Sequence, residues 1–85
     1  MKVTVRYFAG VKEQLGKDSE VLELPEGVAT VAALSAHLMA RGGAYQEIFS
    51  GRRLVKAAVN QDMVAPGAAV AAGDEVAFFP PVTGG

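Results

Sequence analysis

Thr30 to Gly43 reads TVAALSAHLMARGG, and the spacing of Val31, Leu34 and Leu38 lines three apolar side chains along one stripe of a helix. Thr30 is placed to cap the first turn through its side-chain oxygen, and Gly42 with Gly43 supplies a stop. Such a stripe has to be buried against something, and the flanking sequence offers a sheet. On the N-terminal side, Met1 to Phe8 alternates, with Val3, Val5 and Tyr7 on one face and Lys2, Thr4 and Arg6 on the other, the period of a half-buried strand. Ala9 to Leu15 suits a short helix closed by Gly16. Glu20 to Leu24 alternates again with Val21, a second strand broken by Pro25, Glu26 and Gly27. On the C-terminal side, Tyr45 to Phe49 suits one further turn, Leu54 to Val59 a third strand, and Asn60 to Asp62 a turn into Met63 and Val64. The alanine-rich stretch Ala65 to Gly73 reads as a loop, after which Asp74 opens a last strand, Glu75 to Phe79.

A strand pair before one main helix, with further strands after it, predicts an α+β domain in which a mixed sheet curls around that helix, the β-grasp arrangement. Residues 1–79 form the domain in this reading and residues 80–85 an extended tail. Eighty-five residues leave room for one domain, and a composition 51% hydrophobic and 20% charged belongs to a packed core, not to a disordered chain. The formal net charge of −1 gives no basic footprint for nucleic acid, and Arg52, Arg53 and Lys56 read most simply as a solvated loop and strand edge. Absence of cysteine excludes disulfides, thiolate metal sites and cysteine nucleophiles, and points to a reducing compartment. Lys2 and Arg6 interrupt any apolar leader and no later run approaches membrane-spanning length, so the expectation is a cytoplasmic protein with no membrane partner.

The last eight residues are FFPPVTGG. Pro80 and Pro81 lack N–H donors, so the chain from Pro80 through Val82 and Thr83 to Gly85 is expected to leave the fold extended, reaching roughly 20 Å at about 3.3 Å per residue. Gly84 and Gly85 carry no Cβ and can pass through a channel too narrow for a side chain, placing the α-carboxylate in another protein's active site. Terminal diglycine alone is a weak signal, since most chain ends simply fray; the FFPPVT before it carries more weight. Phe8 and Phe79 break the alternation, Phe8 falling in phase with Lys2, Thr4 and Arg6 and Phe79 in phase with Glu75. Both should therefore face outward, either as a partner-binding patch or as caps on the edge of the core. His37 lies beside the Leu34 and Leu38 stripe with no second ligand at metal spacing, and reads as a helix-flank histidine. Asp74 and Glu75 suit either contacts with basic residues of a partner or, more blandly, a turn and a solvent-facing strand position. The chain has no phosphate loop, nucleophile elbow or carboxylate pair, which argues against catalysis of its own.

Two segments, AAVNQDMV (57–64) and GDEVAFFPPVTGG (73–85), occur here in the order found in the small subunit of molybdopterin synthase, and the chain resembles that family of ubiquitin-like diglycine sulfur carriers. The resemblance implies that Gly85 is the reactive residue. A ubiquitin-activating-like adenylyltransferase consumes ATP to give a transient acyl-adenylate on Gly85, and a sulfurtransferase system supplies the sulfur that turns it into a thiocarboxylate. The loaded tail then enters the large synthase subunit and donates sulfur to cyclic pyranopterin monophosphate, building the dithiolene of molybdopterin. The family pattern further implies no stably bound cofactor or metal, an apolar contact surface onto which Phe8, Met63 and Phe79 map, and a heterotetramer of two carriers on a large-subunit dimer. A carboxylate with a pKa near ~3.5 is a poor acyl donor until adenylated, so the ATP step has a chemical reason. Related carriers for thiamine or tRNA thiolation, and a ubiquitin-like modifier joined to lysines, remain open alternatives.

Overall fold

In the computed structural model, which describes residues 1–51 and 54–81, the alternation at the start of the chain becomes β1 (Lys2–Tyr7). The chain continues through α1 (Ala9–Leu15), β2 (Ser19–Glu23), α2 (Val31–Met39), α3 (Gly43–Phe49), β3 (Lys56–Val59), β4 (Asp62–Val64) and β5 (Glu75–Phe79). The five strands form one mixed sheet in the order β2-β1-β5-β3-β4, with β1 and β5 parallel and the other pairs antiparallel. This is the α+β, β-grasp arrangement expected from the order of elements.

Helix α2 lies across one face of the sheet because its apolar stripe does: Val31, Leu34 and Leu38 are buried with Val3, Val5, Tyr7, Val76 and Phe78. Thr30 caps it as expected, its Oγ1 accepting from the Ala33 N–H at 3.1 Å. Two more of its free N–H groups are satisfied by the 65–73 loop, Val31 donating to the Ala68 carbonyl at 3.0 Å and Ala32 to that of Pro66 at 2.8 Å. Val70, buried, anchors this loop in the core, so the alanine-rich connector is a fitted part of the fold.

Several boundaries differ from the sequence reading, each for a tertiary reason. Phe8 leaves the strand and caps α1, its carbonyl accepting from Val11 and Lys12. In β2 and the residue after it the buried positions are Leu22 and Leu24, while Val21 is 61% exposed; pairing of Leu22 with Val3 fixes that phase. Leu54 is 66% exposed, and the third strand begins at Lys56. Gly42 and Gly43 do more than stop α2. Gly42, at φ 77°, precedes α3, and Gly43 is that helix's first residue. Helix α3 adds a second cover to the sheet, burying Ile48 and setting the Phe49 ring edge-on to Phe78 at 5.0 Å between centroids.

At the edge farthest from β4, one carboxylate ties strands to helices. Glu20 accepts from the hydroxyls of Tyr7 (2.8 Å) and Tyr45 (3.0 Å) and from Arg41 Nη1 (2.8 Å). Burial opposes its charge, but the hydrogen bonds from Arg41, Tyr7 and Tyr45 outweigh it and hold the carboxyl below the usual range. The Tyr7 hydroxyl is pushed up by burial and by the same carboxylate. Among the described residues, no buried side-chain nitrogen or oxygen lacks a hydrogen-bond partner.

Candidate functional site

The face of the sheet turned away from α2 is organised in rows set by register. Arg6 pairs with Ala77, Ala77 with Ala58, and Ala58 with Met63, so one row runs Arg6, Ala77, Ala58, Met63 across four strands. Two methyl groups in the middle, between long side chains on either side, leave a depression. The next row carries Phe79 opposite Lys56, with Phe8 held beside it by its N–H bond to the Phe78 carbonyl at 3.1 Å. The result is a groove of about 570 Å³ lined by Phe8, Phe79, Met63, Pro80 and Pro81 over the alanine floor, with Arg6, Glu75, Ala9 and Gln61 at its margins. Phe8 is 41% and Met63 62% exposed, and neither Phe8 nor Phe79 belongs to the core cluster or packs against it. Ala58 is buried yet also outside that cluster, as expected of a floor residue on the outer face.

The turn at one end of the groove explains the sequence NQD. Asn60 (φ 50°) and Gln61 (φ 72°) both occupy the left-handed region, the geometry of a two-residue type I′ hairpin between β3 and β4. Asn60 also clamps this turn to β5: its N–H donates to the Glu75 carbonyl (2.8 Å), its Oδ1 accepts from the Glu75 N–H (3.0 Å), and its Nδ2 donates to Asp74 Oδ1 (3.0 Å). Asp74 accepts in addition from the Ala71 N–H at 2.8 Å. That backbone bond first, and then Asn60, holds its carboxyl below the ordinary value. Asp74 thus works within the fold, setting where β5 begins, while Glu75 forms an ion pair with Arg6 at 3.7 Å.

The structure therefore brings Phe8, Met63, Phe79, Pro80 and Pro81 together at one groove. Val82, Thr83, Gly84 and Gly85 lie outside the described residues, as do Arg52 and Arg53. His37 sits in the last turn of α2, away from the groove, and no group of three or more His, Asp or Glu able to hold a metal exists among the described residues. No helix among them is long and apolar enough to cross a membrane. Sequence reasoning missed Arg6, Ala58 and Ala77 as groove residues, although Arg6 shares its strand phase with Phe8, and Ala77 shares that of Phe79. It also missed Ala9, whose φ of 52° turns the chain from β1 into α1 directly beside Phe8. An alanine in this conformation costs about 1 kcal/mol.

A β-grasp domain whose last strand runs from an apolar groove into a Pro-Pro and diglycine sequence defines a class of small carrier proteins. The chain belongs to the ThiS family, whose model matches residues 5–85. It is similar to the molybdopterin synthase sulfur carrier subunit of Escherichia coli (strain K12), at 41% identity over 83 residues covering 98% of this chain and 99% of that protein. The protein of the same name from Haemophilus influenzae is 39% identical over 84 residues, covering 98% and 99%. Among solved structures it resembles Haloferax volcanii small archaeal modifier protein 1, with a TM-score of 0.76 at 29% identity, covering 95% of this chain and 98% of that one.

Proposed function

We propose that this chain is the sulfur carrier subunit of a molybdopterin synthase, acting in the cytoplasm and non-catalytic on its own. The observation that supports the reading most is positional. Strand β5 ends at Phe79 in the groove and the chain continues along it through Pro80 and Pro81, so a protein gripping that groove also takes hold of the chain that leads to Gly84 and Gly85.

The chemistry follows from a terminal carboxylate. In the active site of a ubiquitin-activating-like adenylyltransferase, a Gly85 carboxylate oxygen attacks the α-phosphorus of ATP and pyrophosphate leaves. Sulfide-level sulfur from a sulfurtransferase system then adds to the acyl carbon and AMP departs, leaving a thiocarboxylate. In the large synthase subunit that sulfur passes to cyclic pyranopterin monophosphate, and each dithiolene draws on two loaded carriers. Phe8, Met63, Phe79, Pro80, Pro81, Val82 and Thr83 hold the partner; Gly84 and Gly85 fit the channel because they have no side chains. A heterotetramer of two carriers on a large-subunit dimer suits this use. The chain binds no cofactor of its own in this scheme, and ATP belongs to the activating enzyme.

The test is to incubate the chain with its activating enzyme, ATP and a sulfur source and weigh the intact product. The reading predicts the mass gain of one oxygen-to-sulfur exchange, located at Gly85; an unchanged mass with active partners overturns it. Likeness to an archaeal modifier protein favours a second reading, attachment of Gly85 to lysines, and finding Gly85 in an isopeptide bond inside cells is the observation that would support it.

A further inference from the structure

Among the described residues, Arg6 is the one cationic side chain lining the groove, and its surroundings do not satisfy it. Its guanidinium carbon stands 5.4 Å from the centre of the Phe8 ring, and its Nη1 lies 3.7 Å from Glu75 Oε2, beyond hydrogen-bond range. Among the described residues it makes no hydrogen bond, although a guanidinium carries five N–H donors in a fixed fork. In the open groove water serves those donors. A partner that covers Phe8, Phe79 and the alanine floor removes the water, and a covered cation whose donors find no acceptors would oppose docking. Glu75 stands beyond hydrogen-bond range of the fork, so acceptors have to arrive with the partner. A carboxylate matches the fork with two parallel bonds and supplies the opposite charge.

We propose that Arg6 is the specificity-determining residue of the groove and reads a carboxylate on the large synthase subunit. The subunit's contact element carries a bulky apolar side chain for the hollow over Ala58 and Ala77, with an acidic group beside it. This inference rests on the proposed function, because it takes the groove as the docking face. It assigns different tasks to two neighbouring charges: Arg6 faces the partner's acid, and Glu75 holds Arg6 in place over Phe8 until docking.

The experiment is calorimetric titration of the full chain against the purified large subunit over a range of salt concentrations, for the unaltered protein, Arg6→Ala, Arg6→Lys and Glu75→Gln. Thermal melts establish that each variant is folded. Arg6→Ala should weaken binding about tenfold or more and flatten its salt dependence. Arg6→Lys should recover part of the affinity, and Glu75→Gln should bind at least as tightly as the unaltered chain because the guanidinium loses its internal competitor. Unchanged affinity for Arg6→Ala overturns the proposal, as does weakened binding with the salt dependence intact, which would mean neutral acceptors. A loss in Glu75→Gln matching that in Arg6→Ala also overturns it, showing that the ion pair is read as a unit. Failure of the unaltered chain to bind overturns the functional reading as well, whereas binding indifferent to Arg6 overturns this inference alone.

Discussion

The inner and outer faces of β1 and β5 are made from alternating residues of the same two strands, yet they are built to different rules. Inside, Val3, Val5, Tyr7, Val76 and Phe78 are almost wholly buried against α2 and α3. Outside, Arg6, Phe8, Ala77 and Phe79 line a groove that no other part of the described chain fills. On the inner face of these two strands large side chains sit opposite large ones, Val5 beside Val76 and Tyr7 beside Phe78. On the outer face small residues lie at the centre and large ones at the rim, which makes a receptacle. The lesson is that stability and contact are separable at single-residue spacing, and neighbouring phenylalanines give the sharpest comparison.

Phe78→Ala should destabilise the fold by about 3–5 kcal/mol, because it removes a buried ring and its edge contact with Phe49, and urea unfolding would measure it. The comparison between faces would break if this variant stayed as stable as the parent. Glu20→Ala should cost about 2 kcal/mol by leaving the buried Tyr7 hydroxyl without its acceptor. The same carboxylate carries a pH signature. Its folded-state pKa is depressed, so its contribution is present above the unfolded value and is lost as pH falls through the folded one. Unfolding measured from pH 7 down to pH 3 should therefore show a steeper acid loss for the parent than for Glu20→Ala, and parallel profiles would contradict that role.

Phe79→Ala should do the reverse of its neighbour, changing stability by less than about 1 kcal/mol while weakening large-subunit binding about tenfold, or 1.4 kcal/mol. Global unfolding of this variant would mean that Phe79 belongs to the core after all. The smallest effect falls where the faces meet. Ala9→Gly should stabilise the chain by about 0.5 kcal/mol, because glycine takes the left-handed conformation at no steric cost and this gain exceeds the entropy it adds to the unfolded chain. A lower melting temperature for this variant would show that the Ala9 methyl does more at the groove margin than it costs in backbone strain.

Much of this architecture was legible in the residues because the signals were local. Alternation in residues 2–7, the i, i+3, i+7 stripe of α2 and the Thr30 cap depend on near neighbours, and each lies where it was expected. Val21, Leu22 and Leu24 could not be phased alone, since apolar side chains point to both faces and only pairing with β1 decides between them. Gly42 and Gly43 are stop signals by local rules; that Gly43 also opens α3 depends on packing against α2. At the groove, Phe8, Met63 and Phe79 were found through strand phase and resemblance. The alanine floor was hidden, because two methyl groups become a feature only when register aligns four strands.

The central claim is that the backbone terminus itself is the reactive group, and an amidated chain tests it most directly. A semisynthetic protein ending in a Gly85 carboxamide, verified as intact, should bind the large subunit through the groove like the parent and yet restore no molybdenum-cofactor synthesis. Restoration of that synthesis with the amide uncleaved would contradict the account.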